Sequence, residues 1–425
     1  MTYSEALAYI HSTDWRGSRP GLERIGELCR LLGNPQNGMR FIHVAGTNGK
    51  GSFCRMLSGI LSAAGYRVGL FTSPYVLRFN ERMMIDNKEI PDADLAFETE
   101  QVRVFADSMS DPPTEFELIT AIGFQYFKHQ NCDLVVLECG MGGRLDSTNI
   151  IKNPLLSVIT GIDFDHTAFL GDTIEKIAAE KGGIIKENRP CLWGGENENA
   201  CSVLAEIAKA KNSPFSVVDR SSLAVKSTTL DGTIFDYGNL HDLFLSLLGT
   251  YQPRNAATVL SAVSLLQKEG LHIPEQSIRE GLATAVWHAR FELLRKDDLI
   301  ILYDGGHNPQ GVRAAVEAVR AYFPDQKVNL LSGVMADKDC TTIVQTLKSV
   351  VEEVFTVTPA NPRAMDAEKY ALLFIKQGIP ATSFSTVADG LNAAIQRSRE
   401  KNRPLVCLGS LYLYAELREA LEKCD

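Results

Sequence analysis

The pattern that most constrains the fold of this chain is an alternation of short apolar runs with helical segments. In the first series the runs are Arg40–Ala45, Arg67–Phe71, Asp133–Glu138 and Leu155–Thr160. Helical patterns, such as those over Glu5–Tyr9 and Glu175–Lys186, lie around them. Continuous apolar strands that alternate with helices are typical of a parallel sheet whose two faces are both covered. The sequence therefore predicts an α/β fold.

A second series of the same kind begins after Phe291. Its predicted strands are Leu299–Tyr303, Lys327–Leu331, Val354–Val357 and Leu405–Leu408, and its helices include Gly311–Tyr322 and Cys340–Val350. Between the two series, Asp231-Gly232 separates two strand-like segments, which is a hairpin signal. We therefore predict a large domain over residues 1–292 with a small β excursion near its end, a linker at about 293–297, and a smaller domain over 298–425.

Composition excludes several classes of protein. The 425 residues include 43 Lys plus Arg and 52 Asp plus Glu, and the resulting net charge of −9 argues against a general nucleic-acid partner. The 9 cysteines include no CxxC pair, which argues against a zinc ribbon or a disulfide framework and favours a reducing cytoplasm. No apolar run approaches the roughly 18 residues that span a bilayer. We expect no membrane partner and no signal peptide.

A glycine-rich segment follows the first predicted strand. It consists of Gly46, Thr47, Asn48, Gly49, Lys50, Gly51 and Ser52, and a predicted helix over Phe53–Ala63 comes next. The order of strand, glycine turn and helix is the context of a phosphate-binding loop, in which backbone N–H groups and the helix N-terminus face a polyphosphate. Lys50 can then reach the β- and γ-phosphates and Ser52 can offer a hydroxyl to Mg²⁺. The spacing departs from GxxxxGK[ST], so the plain alternative is a turn with an incidental lysine.

Polar residues lie at the ends of the third and fourth strands of the series. Glu138 lies at the end of one strand, and Asp163, Asp165 and His166 follow the other. Since the carboxyl ends of parallel strands line the crevice in which such sheets bind ligands, these side chains can converge on one metal ion. The alternative is a strand-end acid beside a flexible turn, with a buried or capping histidine. Lys181 on its own indicates only a solvated lysine or a phosphate contact.

Taken together and in order, the motifs resemble the folylpolyglutamate synthase/dihydrofolate synthase family, the folate branch of the Mur ligase superfamily. The matching segments are Gly46–Ser52, Thr72–Pro74, Glu81–Arg82, Glu138–Asn149, Asp165–His166, Glu180–Lys181, Gln252 with Asn255, and Asp304–Pro309. The resemblance implies a P-loop-containing central domain with a parallel sheet and a smaller, Rossmann-like C-terminal α/β domain. It also implies an ATP-dependent ligase that adds L-glutamate to folate, to dihydropteroate, or to both, through an acyl phosphate.

The resemblance further implies a set of site residues. Lys50, His166 and Lys181 would be catalytic, and Lys181 matches a lysine that is carbamylated in the superfamily. Ser52, Ser73, Glu138 and His166 would hold two Mg²⁺ ions, and a K⁺ ion is left open. Besides the glycine-rich segment, ATP would be bound by Asn255, Arg290, Asp304 and His307. The chain departs from the family at His288-Ala289, where Pro-Gly is usual before the arginine, and at Gly306, where Ala is usual before the histidine.

The acceptor pocket carries an open alternative. By resemblance it would be lined by Arg82, Thr114, Phe116, Glu117, Arg144 and Asp146, with Phe116 stacking on a pterin ring. The segment Thr114–Glu117 can equally be a helix N-cap with acids in the first turn.

Several functional alternatives also stay open. One is a monofunctional folylpolyglutamate synthase. Another is a different Mur-type amino-acid ligase, although only residues 1–39 precede the first predicted strand and leave little room for an extra carrier-binding domain. A third is a nucleotide-dependent switch, which would not need Asp304 and His307. The expected partners are small-molecule substrates, and the expected state is a monomer.

Overall fold

The computed structural model describes residues 1–13, 17, 19–165, 167–295 and 298–423. The chain forms two compact units, one made of residues 1–223 and 255–285 and the other of residues 224–254 and 286–425. In the part of the chain that the structure describes, no helix combines the length and the apolar character that crossing a membrane requires.

The first unit is built on a mostly parallel sheet. Its strands are β1 (Phe41–Ala45), β2 (Val68–Phe71), β3 (Met83–Ile85), β4 (Lys88–Glu89), β5 (Leu134–Glu138), β6 (Leu156–Ile159), β7 (Cys191–Trp193) and β8 (Phe215–Val217). They lie in the order β4-β3-β2-β5-β1-β6-β7-β8, and only β3 and β4 run antiparallel to their neighbours. The order brings the carboxyl ends of β2, β5, β1 and β6 next to one another.

Helices cover both faces of this sheet. They are α1 (Tyr3–His11), α2 (Glu23–Leu31), α3 (Lys50–Ala63), α4 (Asp92–Ala106), α5 (Glu115–His129), α6 (Thr167–Leu170), α7 (Ile174–Gly182), α8 (Glu198–Ala210), α9 (Gln252–Lys268, of which Asn255–Lys268 belongs to this unit) and α10 (Glu275–Ala283). One apolar core includes residues of α1, α2, α4 and α5, and another includes residues of α7 and α8. The helix predicted to continue to Lys186 ends at Gly182, because Gly183 caps it and the chain turns there.

The second unit contains an antiparallel sheet and a mostly parallel one. The antiparallel sheet consists of β9 (Leu223–Thr229), β10 (Gly232–Tyr237) and β11 (Leu240–Leu245), so the hairpin predicted at Asp231-Gly232 is present. Its residues from Ala224 onward group with this unit because Leu230 and Leu248 pack with the core of the second sheet.

The parallel-dominated sheet of this unit carries the second helical series. Its strands are β12 (Glu292–Arg295), β13 (Ile301–Asp304), β14 (Val328–Ser332), β15 (Val351–Thr356), β16 (Ala381–Ser383) and β17 (Leu405–Leu408), in the order β12-β13-β17-β14-β15-β16. Its helices are α11 (Pro309–Tyr322), α12 (Cys340–Leu347), α13 (Ala367–Lys376), α14 (Val387–Lys401) and α15 (Tyr412–Glu422). β12 runs antiparallel to β13 and includes residues 293–295 of the predicted linker. The domain limits 1–292 and 298–425 stay a prediction.

Candidate active site

The glycine-rich segment forms a loop between β1 and α3. Gly49 adopts the left-handed backbone conformation (φ +83°) and precedes the first residue of the helix. This backbone conformation favours glycine, and a Cβ on Gly49 would in addition lie 2.8 Å from Oδ1 of Asn255. The helix begins at Lys50, earlier than predicted, which places Lys50, Gly51 and Ser52 in its first turn. The N–H groups of that turn have no partner within the helix and are suited to an anion.

The loop is held in place by residues that follow β6. The Thr47 N–H donates to the Gly161 carbonyl (2.7 Å), and the Thr47 hydroxyl bonds to both the carbonyl and the N–H of Asp163 (3.1 Å each). The Thr160 hydroxyl donates to the Asn48 carbonyl (2.8 Å). These contacts fix the loop against the segment that follows β6.

Two lysines meet at one carbonyl of the loop. Nζ of Lys50 and Nζ of Lys181 donate to the Gly46 carbonyl at 3.0 and 2.9 Å. Lys181 is 4% exposed, and burial together with the charge of Lys50 lowers its pKa to about 7. The amine of Lys181 is therefore largely uncharged at slightly alkaline pH, which is unusual for a lysine.

A carboxylate and a serine lie together at the ends of β5 and β2. The Ser73 N–H donates to Oε2 of Glu138 at 3.1 Å, and Glu138 is buried. Ser52 is also buried, in the first turn of α3. The pKa of the nearby Cys54 thiol responds to both Glu138 and Lys50. Burial and the charge of Glu138 raise it, and the charge of Lys50 opposes that rise. The charges of Glu138 and Lys50 thus act on the same buried point.

The oxygen donors at this site suit magnesium. Among the described residues, no three His, Cys, Asp or Glu side chains form a cluster that could hold a metal ion. A hydroxyl–carboxylate set completed by waters and nucleotide phosphates is what Mg²⁺ prefers, and Ser52, Ser73 and Glu138 offer that set. His166, predicted as a further ligand and catalytic residue, lies outside the described residues.

The segment after β5 is organised by a buried polar network. Oδ2 of Asp146 accepts from the Met141 N–H (2.8 Å), and Oδ1 accepts from the N–H (3.0 Å) and hydroxyl (2.5 Å) of Thr148. Nε2 of His43 on β1 lies 2.8 Å from the Thr148 hydroxyl. Burial lowers the pKa of His43 to about 3, so the imidazole is neutral at physiological pH. The prediction missed His43, and its only signal was a polar residue inside a continuous apolar strand.

Thr114 and Glu117 form the capping box that the sequence left as an alternative. The Glu117 carboxylate accepts from the Thr114 N–H (2.7 Å) and hydroxyl (2.9 Å), at the start of α5. Nε of Arg24 donates to the same oxygen at 3.1 Å, and Glu117 is buried. Both predicted acceptor-pocket residues are thus engaged in holding the helix terminus.

Three further predicted acceptor-pocket residues, Arg82, Arg144 and Phe116, each contact other residues of the first unit. The guanidinium of Arg82 lies over the rings of Tyr75 and Phe79, at 5.1 and 5.6 Å. Arg144 is largely exposed and pairs with Glu180 at 2.8 Å. Phe116 contacts Phe71 edge-on, with ring centroids 6.1 Å apart, and a Cβ on Gly140 would lie 2.5 Å from its ring.

In the second unit, the structure brings Arg290 and Asp304 together. The buried Asp304 carboxylate accepts from the Tyr251 hydroxyl (3.0 Å), the Phe291 N–H (2.9 Å) and the Gly306 N–H (2.7 Å). Burial raises its pKa, and the charge of Arg290 opposes this rise. Nδ1 of His307 lies 2.9 Å from the Gly305 carbonyl. The loop after β13 is therefore arranged around the Asp304 side chain.

Comparisons with known proteins assign this arrangement to a family. The Mur ligase middle domain matches residues 44–263, and the Mur ligase glutamate ligase domain matches residues 289–411. Folylpolyglutamate synthase of Lacticaseibacillus casei is 37% identical over 99% of both chains. The chain belongs to the folylpolyglutamate synthase/dihydrofolate synthase family of Mur ligases. The dihydrofolate synthase/folylpolyglutamate synthase of Bacillus subtilis is 34% identical, again over 99% of both chains.

Solved structures of this family share the whole fold. Folylpolyglutamate synthase from Thermotoga maritima superimposes with a TM-score of 0.88 at 35% identity, over 100% of this chain and 97% of that one. The Escherichia coli FolC complex with DHPP and ADP gives a TM-score of 0.87 at 30% identity, over 100% and 98%. The predicted fold class is confirmed, and so is the prediction of an ATP-dependent ligase.

Proposed function

We propose that this member of the folylpolyglutamate synthase/dihydrofolate synthase family joins L-glutamate both to a reduced folate and to dihydropteroate, with hydrolysis of ATP to ADP and phosphate. The observation that carries the proposal is the phosphate loop, with Lys50 in the first turn of α3 and the Glu138–Ser73 pair beside it. An enzyme limited to polyglutamylation is the second candidate, favoured by the name of the Lacticaseibacillus casei relative.

The proposed reaction has two steps. A carboxylate oxygen of the acceptor attacks the γ-phosphorus of ATP, the bond to the β–γ bridging oxygen breaks, and ADP leaves. The amine nitrogen of L-glutamate then attacks the acyl carbon, inorganic phosphate leaves, and the nitrogen loses its proton as the amide forms. An anion attacks a polyanion in the first step, so positive charge around the phosphates is the main requirement.

Residues of the phosphate loop are suited to that requirement. We assign the phosphates to the N–H groups of the first turn of α3 and to Lys50, whose ammonium lies at the loop carbonyls of Gly46 and Thr47 (3.0 and 3.3 Å). Those contacts hold the ammonium at the loop, where it can lie beside a bound triphosphate. Arg290, Asp304 and His307 in the second unit, and Asn255 beside Gly49, are the other proposed nucleotide residues.

Ser52, Ser73 and Glu138 would hold Mg²⁺, together with the proposed ligand His166. When bound, the ion would neutralise charge on the phosphate oxygens. The donor chemistry of the three described residues supports this assignment. A K⁺ ion stays a prediction from the resemblance alone.

Lys181 is the proposed site of carbamylation. An uncharged amine can attack CO₂, forming an N–C bond and releasing a proton, and the pKa of about 7 makes that form abundant near neutral pH. The resulting anion would add negative charge beside the phosphate loop, where Nζ of Lys181 donates to the Gly46 carbonyl. Chemical trapping of the carbamate followed by peptide mass spectrometry tests this, and a Lys181 peptide that is unmodified after trapping would exclude it.

The residues of the proposed acceptor pocket fall into two groups, those that shape the pocket and those that contact the acceptor. Thr114, Glu117 and Asp146 already bond to the chain itself, so we propose that they shape the pocket. Phe116, Arg82 and Arg144 are the residues we assign to direct contact, the first to the ring system and the arginines to carboxylates.

The decisive experiment is a ligation assay with ATP, Mg²⁺ and L-glutamate, in which dihydropteroate and tetrahydrofolate are offered separately. We expect product with both acceptors. Product with tetrahydrofolate alone would establish the monofunctional alternative, and no product with either would overturn the folate assignment.

The phosphate loop is tested by Lys50→Ala. We expect ligation to fall by about 100-fold or more, because charge stabilisation in the transition state is lost. Lys176→Ala is the matched control, since Lys176 is an exposed lysine that pairs with Asp172 on the surface. A Lys50→Ala variant with near-normal turnover would refute the assignment of the loop.

The described cysteines are all free thiols, which supports a reducing compartment, and we propose the cytoplasm.

A monomeric state is proposed from the resemblance and is checked by light scattering of the purified protein.

A further inference from the structure

The turn that carries Arg290 has an unusual backbone. Ala289 (φ +56°) and Phe291 (φ +46°) are both in the left-handed region, although neither is glycine. A residue with a Cβ reaches this region only at a cost, so two of them around one arginine need support from the surrounding structure.

One side of the turn is held by the loop after β13. The Phe291 N–H donates to Asp304 (2.9 Å), and the Gly305 N–H donates to the Ala289 carbonyl (2.8 Å). A Cβ on Gly305 would lie 2.9 Å from Nη1 of Arg290, so the guanidinium lies directly against this glycine. The position of the guanidinium therefore depends on the backbone of the turn.

The other side is held by a second carboxylate. Oε2 of Glu292 accepts from the Ala289 N–H (2.8 Å) and the Tyr414 hydroxyl (2.6 Å). Oε1 lies 2.9 Å from Nδ1 of His288, which must carry the hydrogen because an ionised carboxylate only accepts. Arg418 adds a more distant positive charge, 3.7 Å from Oε1. The backbone N–H groups on both sides of Arg290 are thus each bound by a carboxylate.

Glu292 is built to stay charged and fixed. Burial would raise its pKa, but the hydrogen bonds from His288, Tyr414 and the Ala289 N–H together lower it. Tyr414 is itself anchored on α15, where its ring contacts the edge of Tyr303 at 4.9 Å between centroids. The carboxylate therefore ties the turn to a buried part of the second unit.

We propose that Glu292, assisted by His288 and Tyr414, is a positioning residue for Arg290: its carboxylate holds the left-handed turn that aims the guanidinium. The inference rests on the proposed role of Arg290 in binding the nucleotide. It gives His288, which stands where the family usually has proline, a specific task as the donor to Oε1.

The test is a double-mutant cycle on the full-length enzyme, with kcat and KM for ATP measured in the ligation assay. We expect Glu292→Gln to lower kcat/KM for ATP by about tenfold, because a misplaced binding group loses much of its effect. The same change in an Arg290→Gln background should cost less than about twofold, since a residue that acts through Arg290 has nothing left to position. Equal losses in both backgrounds would overturn the proposal.

Further variants separate positioning from general damage to the fold. Tyr414→Phe removes one hydrogen bond to Glu292, and we expect a smaller loss of kcat/KM in the same direction. Glu353→Gln is the matched control: Glu353 pairs with Arg397 (2.7 Å) and its side chain is 22% exposed, against 17% for Glu292. A similar loss in the control would attribute the effect to lost stability and overturn the inference.

The variant kinetics and the wild-type ligation assay distinguish failure of this inference from failure of the proposed function. If Arg290→Gln alone kept wild-type kinetics, the inference would fall with the role of Arg290, while product formation by the wild-type enzyme would still establish the ligase activity.

Discussion

Lys181 shows how far a single residue can depart from its ordinary chemistry. It is buried beside Lys50, and Nζ of each donates to the Gly46 carbonyl. Of these features, the sequence could show only that a lysine follows an acid on a helix. Its contact partner lies 135 positions away, and only the folded sheet brings the two together.

Replacing Lys181 by methionine should stabilise the protein most at neutral pH. Burial lowers the pKa of Lys181 from 10.5 to about 7, so between these values the unfolded chain binds a proton that the folded chain does not. The free energy of unfolding of the wild type therefore rises with pH in this window, by about 1.4 kcal/mol per unit. Since Lys181→Met removes this term, its stability advantage is largest at pH 7 and below and shrinks toward pH 10.

This prediction is checked by thermal unfolding of both proteins in buffers freed of CO₂, from pH 6.5 to 9.5. A difference in Tm that stays constant across the range would show that Lys181 is not buried as an uncharged amine. Lys176→Met, on the exposed side of the same helix, controls for the change in net charge.

Among the secondary-structure elements, the central strands of four or more residues were predicted, and the three-residue strands β3, β7, β8 and β16 were not. Leu405–Leu408 is a strand in both the prediction and the structure, because a strand buried on both faces is mostly apolar and this leaves a continuous apolar run in the sequence. The prediction did not include the edge strands β8 and β16, which are three residues long and only partly buried. Their pairing comes from the neighbouring strand and leaves little pattern in the sequence.

In the site, too, features encoded in a short local segment were predicted, and contacts between residues far apart in the sequence were not. The strand, glycine turn and helix order located Lys50 and Ser52 because the motif is local. The hydrogen bond from Tyr414 to Glu292 joins positions that are 122 residues apart, and neither local sequence indicates it. For Thr114 the sequence predicts two alternatives, a helix N-cap and a ligand site. It does not decide between them, because a Thr-x-x-Glu spacing suits both.

The start of α5 provides a test of that choice. Thr114→Ala should lower stability by about 1 kcal/mol, because the N-cap hydroxyl and its bond to Glu117 are lost, while Thr114→Ser should be close to neutral. We expect a fall in Tm of about 2–4 °C for the alanine variant, with the KM for the folate acceptor changed less than about twofold because a cap acts on the helix rather than on the ligand.

Thermal unfolding and acceptor-dependent kinetics measure the two effects separately. A large rise in KM at unchanged Tm would mean that Thr114 contacts the acceptor directly.

At the scale of the whole molecule, the net charge of −9 has to be reconciled with ligands that are all anions. ATP, glutamate and a folate would be repelled by a uniformly negative surface, so positive charge must be concentrated locally. Within the first unit the proposed ligand residues Lys50, Arg82 and Arg144 supply it, and the helix N-terminus at Lys50 adds its dipole. The average charge therefore argues against a nucleic-acid partner, but it gives no sign of a local site for anionic small molecules.

Nucleotide and metal should stabilise the protein together. A ligand that binds only the folded state, present at about 100 times its Kd, raises the free energy of unfolding by about 2.7 kcal/mol. AMPPCP with Mg²⁺ should therefore raise Tm by roughly 5–10 °C. We expect EDTA to remove most of this shift, because the phosphate charge is then balanced only by protein groups, such as Lys50 and the helix N-terminus, without the metal ion. Lys50→Ala should also lose most of it, and Lys176→Ala should keep it. A shift of equal size with EDTA would remove Mg²⁺ from the nucleotide site, and a full shift in Lys50→Ala would place the triphosphate somewhere other than this loop.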